Sequence, residues 1–209
     1  MSRGEDLPAW LDAGVSRETR ARLALHVALL EKWNPRINLV SPRSLAEVWH
    51  RHVADSAQLW PLRPPAPRLW LDLGAGAGFP GLVIAALAAE AAPDLEVRMV
   101  ESDQRKAAFL GTVIREVGLR AVVLPDRWEA LPDQSADVVS ARALAPLDRL
   151  LAAVEKHRRP GGIGLFPKGG TVHKEIVGAR QRWQFDHRLI ASRTDPGAAI
   201  LEIGALHRA

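Results

Sequence analysis

The sequence predicts an α/β fold, an open and mostly parallel sheet of seven strands with helices on both faces, preceded by a helical cap. Three observations carry the prediction. From Leu69 onward short apolar runs alternate with stretches of helical spacing, the pattern of parallel strands joined by crossover helices. The first run, Leu69–Leu73, opens into glycines at 74, 76, 78 and 81, and a helical run over 82–87 follows at once; this is a buried strand, a tight loop and a helix N-terminus. Upstream, Arg63-Pro64-Pro65-Ala66-Pro67 restricts φ and denies helix, so it reads as a stiff boundary. The chain is accordingly divided into a helical cap with its linker over residues 1–67 and a sheet domain over 68–209.

Ser16 is placed to cap a helix in which Leu23, Val27 and Leu30 recur at helical spacing. Pro35 ends it by disfavouring helix at the residue before it, and residues 36–42 form a connector. A second helix is expected from Ser44 through Leu59, on which His52, Asp55 and Ser56 stand at i, i+3 and i+4 and share a face. The trio invites a catalytic-triad reading, but one helix rarely presents all three members in line and no nucleophile elbow is present. A hydrogen-bonded patch tying the helix to the core fits better, and a wall of an active site is the third reading. Strands are expected at Leu69–Leu73, 97–100, Ala121–Leu124, 136–140 and 163–166. Helices are expected after Gly81, through Lys106, Phe109, Val113 and Val117, and over 147–154. Residues 159–162, Arg-Pro-Gly-Gly, read as a turn. The last two apolar segments, 185–192 and 199–206, have no helix between them and suit an antiparallel pair at the end of the sheet.

A length of 209 residues suffices for one domain with a sizeable core and a small appendage. No stretch approaches a membrane span, and residues 1–6 lack the apolar core of a signal peptide, so a cytoplasmic protein without membrane attachment is expected. Cys and Tyr are both absent. That excludes disulfides, thiolate nucleophiles and cysteine-ligated metals, and with them methylation of pyrimidine C5 through a cysteine adduct. No metal site and no obligate protein partner are expected. The net charge of +4 is uneven: residues 142–209 carry 12 Lys and Arg against 6 Asp and Glu, and residues 1–141 carry 16 against 18. A basic C-terminal third fits a polyanionic partner, and equally a solvated surface in an Ala-, Arg- and Pro-rich chain.

Ligands of such sheets bind beyond the carboxyl ends of the strands. Here those ends carry Asp72 with Gly74, then Glu101, then Trp128 with Glu129, then Ser140 with Arg142. Gly76-x-Gly78-x-x-Gly81 satisfies the dinucleotide fingerprint, and Glu101 stands at about the spacing of a ribose contact. Asp72 points to another cofactor. A carboxylate at the strand tip repels a pyrophosphate seated on the helix N-terminus and attracts the ammonium and sulfonium of S-adenosyl-L-methionine. Glu101 then accepts both ribose hydroxyls and Trp128 lies along an adenine face. Taken singly, Glu101 is also a plain surface acid and Trp128 ordinary core packing.

Between about Trp33 and Lys168 the motifs form a specific set: Asn38-Leu39, Arg51-His52-x-x-Asp55-Ser56, Leu71-Asp72-Leu73-Gly74-x-Gly76-x-Gly78-Phe79-Pro80-Gly81, Glu101-Ser102 followed by Lys106, and Ser140 with Arg142-Ala143. With them the chain resembles the bacterial 16S ribosomal RNA guanine-N7 methyltransferases, the glucose-inhibited division B proteins. The family commonly carries Asp where this chain has Glu101, and Ala141 stands between Ser140 and Arg142. The resemblance implies a Rossmann-like class I S-adenosylmethionine-dependent methyltransferase fold. It implies cofactor contacts from Gly74, Phe79, Trp128, Glu129 and Arg142, to which the residue-level reading adds Asp72, Gly76, Gly78 and Glu101. It also implies action on 16S rRNA, within the small ribosomal subunit or its precursor. Candidate RNA contacts are Arg51, His52, Arg142 and Lys168.

Acceptor chemistry agrees. Methylation of an exocyclic adenine amine goes with an Asn/Asp-Pro-Pro-aromatic motif after the fourth strand, where this chain reads Ser140-Ala141-Arg142-Ala143. Guanine N7 has its lone pair in the ring plane and no proton to lose, so catalysis is mostly positioning and no general base is expected. A small-molecule or protein methyltransferase on the same fold is the alternative; a dinucleotide-dependent oxidoreductase and a catalytically silent RNA-binding module are the remaining readings.

Overall fold

Apolar side chains alternate between the two faces of one seven-stranded sheet in the computed structural model, which describes residues 7–209. Residues 1–6, on which the signal-peptide reading falls, lie outside the described residues. The strands are β1 (Leu69–Leu73), β2 (Glu96–Val100), β3 (Ala121–Leu124), β4 (Ala136–Ala141), β5 (Arg158–Lys168), β6 (Trp183–Ala191) and β7 (Ala199–Arg208), in the order 3-2-1-4-5-7-6. The β1–β2, β2–β3, β1–β4 and β4–β5 pairs are parallel, and β7 is antiparallel to both β5 and β6. The expected terminal pair is therefore present. Trp70, Met99, Val138 and Leu165 face one core, and Leu71, Val100, Val139 and Phe166 the other. Strands buried on both faces read as continuous apolar runs, which is why they were visible in the sequence.

The first core lies under α1 (Ala9–Asp12), α2 (Arg17–Ile37), α5 (Gly81–Ala91) and α6 (Gln104–Val117). Leu23, Val27 and Leu30 of α2 share it with Phe109 and Val113 of α6, so the cap packs directly on the sheet's own helices. The second core lies under α7 (Leu147–His157) and α8 (Val172–Ala179). Ser16 caps α2, its Oγ accepting the Thr19 N–H at 3.0 Å. Helix α2 runs past its expected end, through Pro35 to Ile37. The Asn34 side chain brackets Val40, accepting its N–H at 2.9 Å and donating to its carbonyl at 3.0 Å, and this anchors the extra turn.

The single helix expected over 44–59 is broken. Ser41, not Ser44, caps a short α3 (Pro42–Ala46); a π-helical turn follows over Trp49–Ala54, then α4 (Asp55–Ala57) and a 3-10 turn over Trp60–Leu62. Val48 and Val53, like Trp49 and Ala54, are buried five residues apart, a spacing that a π turn satisfies and a straight α-helix does not. The turn expected at 159–162 lies inside β5, where pairing with β4 jumps from Ala136↔Arg158 to Val138↔Ile163. A Cβ at Gly162 would lie 2.7 Å from the Ala136 carbonyl, so only glycine fits that close approach. Helices α1 and α8 were not expected; both are short, and α8 contains Gly178.

Candidate functional site: two cavities at the strand ends

Register places Asp72 of β1 beside Ser140 of β4, on the face of Trp70. The Trp70 indole N–H donates to Ser140 Oγ at 2.8 Å, the Ser140 hydroxyl donates to Asp72 Oδ1 at 2.8 Å, and the Gly81 N–H donates to Asp72 Oδ2 at 2.9 Å. Asp72 is fully buried. Burial pushes its carboxyl up to about 7, against the hydrogen bonds from Ser140 and Gly81. This corrects the expectation that Asp72 faces a cationic ligand: it points inward and fastens the start of α5 to the sheet. A Cβ at Gly81 would lie 2.9 Å from Asp72 Oδ2 and 2.6 Å from Met99 Cγ, so glycine permits this approach.

Above this floor a cavity of about 380 Å3 is bounded by Gly74, Gly76, Glu101, Trp128, Glu129 and Arg142. Six of the nine expected cofactor contacts thus converge. Gly78 and Phe79 join Asp72 as residues that do not line it. Phe79 is buried between the rings of His26 and His52, each 4.9 Å from its own. Glu101 spends two acceptor positions on the protein: Oε2 takes the Gly76 N–H and Oε1 the Asp103 N–H, both at 2.8 Å. A carboxylate offers about four such positions, so two remain for a pair of hydroxyls. Trp128 is held by its carbonyl, which accepts the His157 Nε2–H at 2.9 Å, and Glu129 pairs with Arg149.

A second cavity, of about 700 Å3, adjoins the first across Arg142 and Ala143. Arg51, Asp55 and Arg142 form one side, Lys168 and Glu175 another, and Thr194, Asp195, Pro196 and Ala198 a third. Arg142 Nη1 donates to the Arg51 carbonyl at 3.1 Å and lies 3.5 Å from Asp55 Oδ2. Of the four expected RNA contacts, Arg51, Arg142 and Lys168 line this cavity. Lys168 is mostly buried and paired with Glu175 at 2.8 Å. His52 lines neither cavity; it stacks on Phe79 at 19° with both ring nitrogens unpartnered, and burial, then the charges of Arg142 and Arg51, push its pKa down to about 3. His52, Asp55 and Ser56 make no hydrogen bond to one another, so the triad reading fails. Of the three, Asp55 alone makes side-chain hydrogen bonds beyond its own helix.

Sequence reasoning missed three supports. His26 donates Nε2–H to the Ala77 carbonyl of the glycine loop at 2.9 Å; its one signal was a lone His on the apolar face of α2. His157, fully buried, holds the Trp128 turn. Arg149 lines the smaller cavity.

The dinucleotide fingerprint is met by the sequence but not by the sheet, because the dinucleotide fold continues its parallel order to 3-2-1-4-5-6 and here an antiparallel β7 intervenes. Residues 19–195 match the family described as rRNA small subunit methyltransferase G. The chain is 52% identical over 202 residues to the ribosomal RNA small subunit methyltransferase G of Cereibacter sphaeroides, covering 97% of each, and 46% identical over 198 residues to that of a Ruegeria species, covering 95% of this chain and 96% of that one. Its fold is similar to a methyltransferase from Geobacter sulfurreducens, with a TM-score of 0.57 at 14% identity over 94% of this chain and 93% of that one. It is also similar to TYW2 of M. jannaschii, solved in complex with AdoMet, with a TM-score of 0.54 at 11% identity over 76% of each.

Proposed function

The chain belongs to the rRNA small subunit methyltransferase G family, whose reaction is S-adenosylmethionine-dependent methyl transfer to ribosomal RNA, and from that premise we propose that its acceptor is N7 of a guanine in 16S rRNA, taken up in the larger cavity. One observation supports this most: two cavities meet at the strand ends and share the Arg142 guanidinium. Bound S-adenosylmethionine supplies a methyl group made electrophilic by its sulfonium. The unused acceptor positions of Glu101 take the ribose hydroxyls, Trp128 offers a flat face to the adenine, and Gly74 and Gly76 let the chain approach closely. Arg142 engages the protein through Nη1, leaving donors for the guanine O6 next to the reacting nitrogen. Arg51 stands at the rim as a phosphate contact, and His52 acts through Phe79 rather than on RNA. The π-helical turn of the cap supplies one wall of the larger cavity, so residues 1–67 complete the site built on 68–209. No residue abstracts a proton, because N7 carries none; the site works by holding acceptor and donor in line.

A cytoplasmic enzyme acting on the small subunit or its precursor accords with this reading. No helix among the described residues is long and apolar enough to cross a membrane. Mass mapping of 16S rRNA from cells lacking the gene tests it. One missing N7-methylguanine, restored by the wild-type gene and not by Arg142→Ala, is expected; an unchanged methylation map would overturn the reading.

A further inference from the structure

Asp55 sits at the centre of a polar cluster that the methyl-transfer geometry alone does not require. Its Oδ1 accepts from Gln58 Nε2 and from Thr194 Oγ1, both at 2.8 Å. Its Oδ2 faces Arg142 Nη1 at 3.5 Å. Gln58 Oε1 accepts the Arg193 N–H at 2.9 Å, and Ser192 Oγ accepts the N–H groups of Thr194 and Asp195 at 3.2 and 3.3 Å. The Arg193 guanidinium lies 4.2 Å over the ring of Trp10. The loop between β6 and β7 is thus pinned at three points by the N-terminal cap, and Thr194, Asp195, Pro196 and Ala198 of that loop wall the larger cavity. One carboxylate holds the cavity wall with one oxygen and, with the other, the cation that both cavities share.

We propose that Asp55 is a positioning residue for methyl transfer: it fixes the Arg142 guanidinium between donor and acceptor and latches the 192–198 loop around the acceptor nucleotide. This rests on the larger cavity being the acceptor site. Without Asp55 the Arg142 guanidinium keeps one hydrogen-bond acceptor, the Arg51 carbonyl, with the Phe79 ring 5.3 Å away and the attraction of the buried Asp72, and a long side chain held by so little occupies several rotamers.

The test uses the full-length enzyme, with small ribosomal subunits lacking the methyl group as substrate. Asp55→Asn keeps the size but removes the charge facing Arg142 and replaces the carboxylate acceptor of Gln58 and Thr194 by a weaker neutral amide oxygen, and kcat is expected to fall about 10- to 100-fold, the scale of a small misplacement of a reacting group. In an Arg142→Ala background the same change is expected to cost less than about twofold, because residues acting through one another are non-additive. Thr194→Val, which cuts only the latch, is expected to raise KM for the subunit about fivefold while kcat stays within about twofold. Hydrogen exchange of residues 192–198 is expected to quicken in both Asp55→Asn and Thr194→Val. Full kcat with unchanged loop exchange in Asp55→Asn, or additive losses in the double variant, would overturn the proposal. A wild-type enzyme that leaves subunits unmethylated would instead overturn the acceptor reading, and loop exchange, with the coupling between Asp55→Asn and Arg142→Ala in S-adenosylmethionine affinity by calorimetry, then decides the role of Asp55.

Discussion

Asp72 is charged by type and interior by position, and its partners decide what its replacement does. Asn can accept from the Gly81 N–H and donate to Ser140, whereas Ala leaves the buried Gly81 N–H without a partner and the Ser140 hydroxyl with no acceptor for its proton, Ser140 keeping only the Trp70 indole N–H. Asp72→Ala is therefore expected to lose about 2–3 kcal/mol of stability in urea unfolding, and Asp72→Asn little. Asp72→Asn is also expected to bind S-adenosylmethionine as the wild type does; a tenfold loss would restore a direct electrostatic role for the carboxylate. The pH dependence carries a sign that separates Asp72 from His26. Burial raises the Asp72 carboxyl to about 7, so the native state holds its proton longer than the unfolded chain, and stability falls as pH rises from about 4 towards 7. His26 is lowered to about 4 by burial, opposed by its bond to Ala77, so the unfolded chain protonates first and stability is lost as pH falls from 6.5 towards 4. Between pH 7 and pH 5 each effect is about 2 kcal/mol, and they oppose one another. Urea midpoints at the two pH values are expected to diverge in opposite directions for Asp72→Asn and His26→Gln, each relative to wild type. Parallel responses would place the titration elsewhere.

At the scale of elements, the glycine loop separates backbone freedom from cavity space. Gly76 has φ +53° and no atom near its missing Cβ except the Gly74 carbonyl at 3.9 Å, because that direction is open towards the smaller cavity. Gly118 at the end of α6 has φ +71° and open space around it, with no cavity to fill. Gly76→Ala and Gly118→Ala should both lose about 1–2 kcal/mol of stability through the left-handed backbone. Only Gly76→Ala is expected to weaken S-adenosylmethionine binding, by about tenfold, in calorimetry; equal affinities would make Gly76 a turn residue and nothing more. The strands and their polar ends were legible because each is a short apolar run closed by a turn, and register then carries Glu101, Trp128 and Arg142 to one rim. The π-helical turn was not legible, since Trp49 and Val53, four residues apart, also fit an α-helix, and the pairs five apart, Val48 with Val53 and Trp49 with Ala54, show only once burial is known. Strand parity, which sets Asp72 on the side of Trp70, was present in the sequence, but nothing local showed which side the helices would cover. The bonds of Asp55 and Gln58 to residues more than 130 positions away leave no local signal at all.

Across the whole molecule, cap and sheet share one core: Trp33 of α2 lies 5.8 Å from Phe109 of α6, and His26 of α2 donates to the Ala77 carbonyl at 2.9 Å. Residues on the two sides of the expected boundary at 67 therefore interlock, and one cooperative unfolding transition is expected by both circular dichroism and tryptophan fluorescence. Two transitions would mean that the cap unfolds by itself. The same interlock brings residues of both parts to the larger cavity, where their charges differ in availability. The Arg51 side chain is 47% exposed and only loosely paired with Glu47 at 3.6 Å, whereas Lys168 is 11% exposed and held by Glu175 at 2.8 Å. An exposed cation neutralising a phosphate releases counterions, so each such contact steepens the fall of affinity with salt by a slope of about 0.7–0.9. Titration of a 16S rRNA fragment at several salt concentrations is expected to show Arg51→Ala reducing that slope by nearly one contact. Lys168→Ala is expected to leave it unchanged, because a lysine committed to Glu175 has no charge to lend a phosphate. A slope lowered by Lys168→Ala but not by Arg51→Ala would move the RNA path to the far side of the cavity, towards α8.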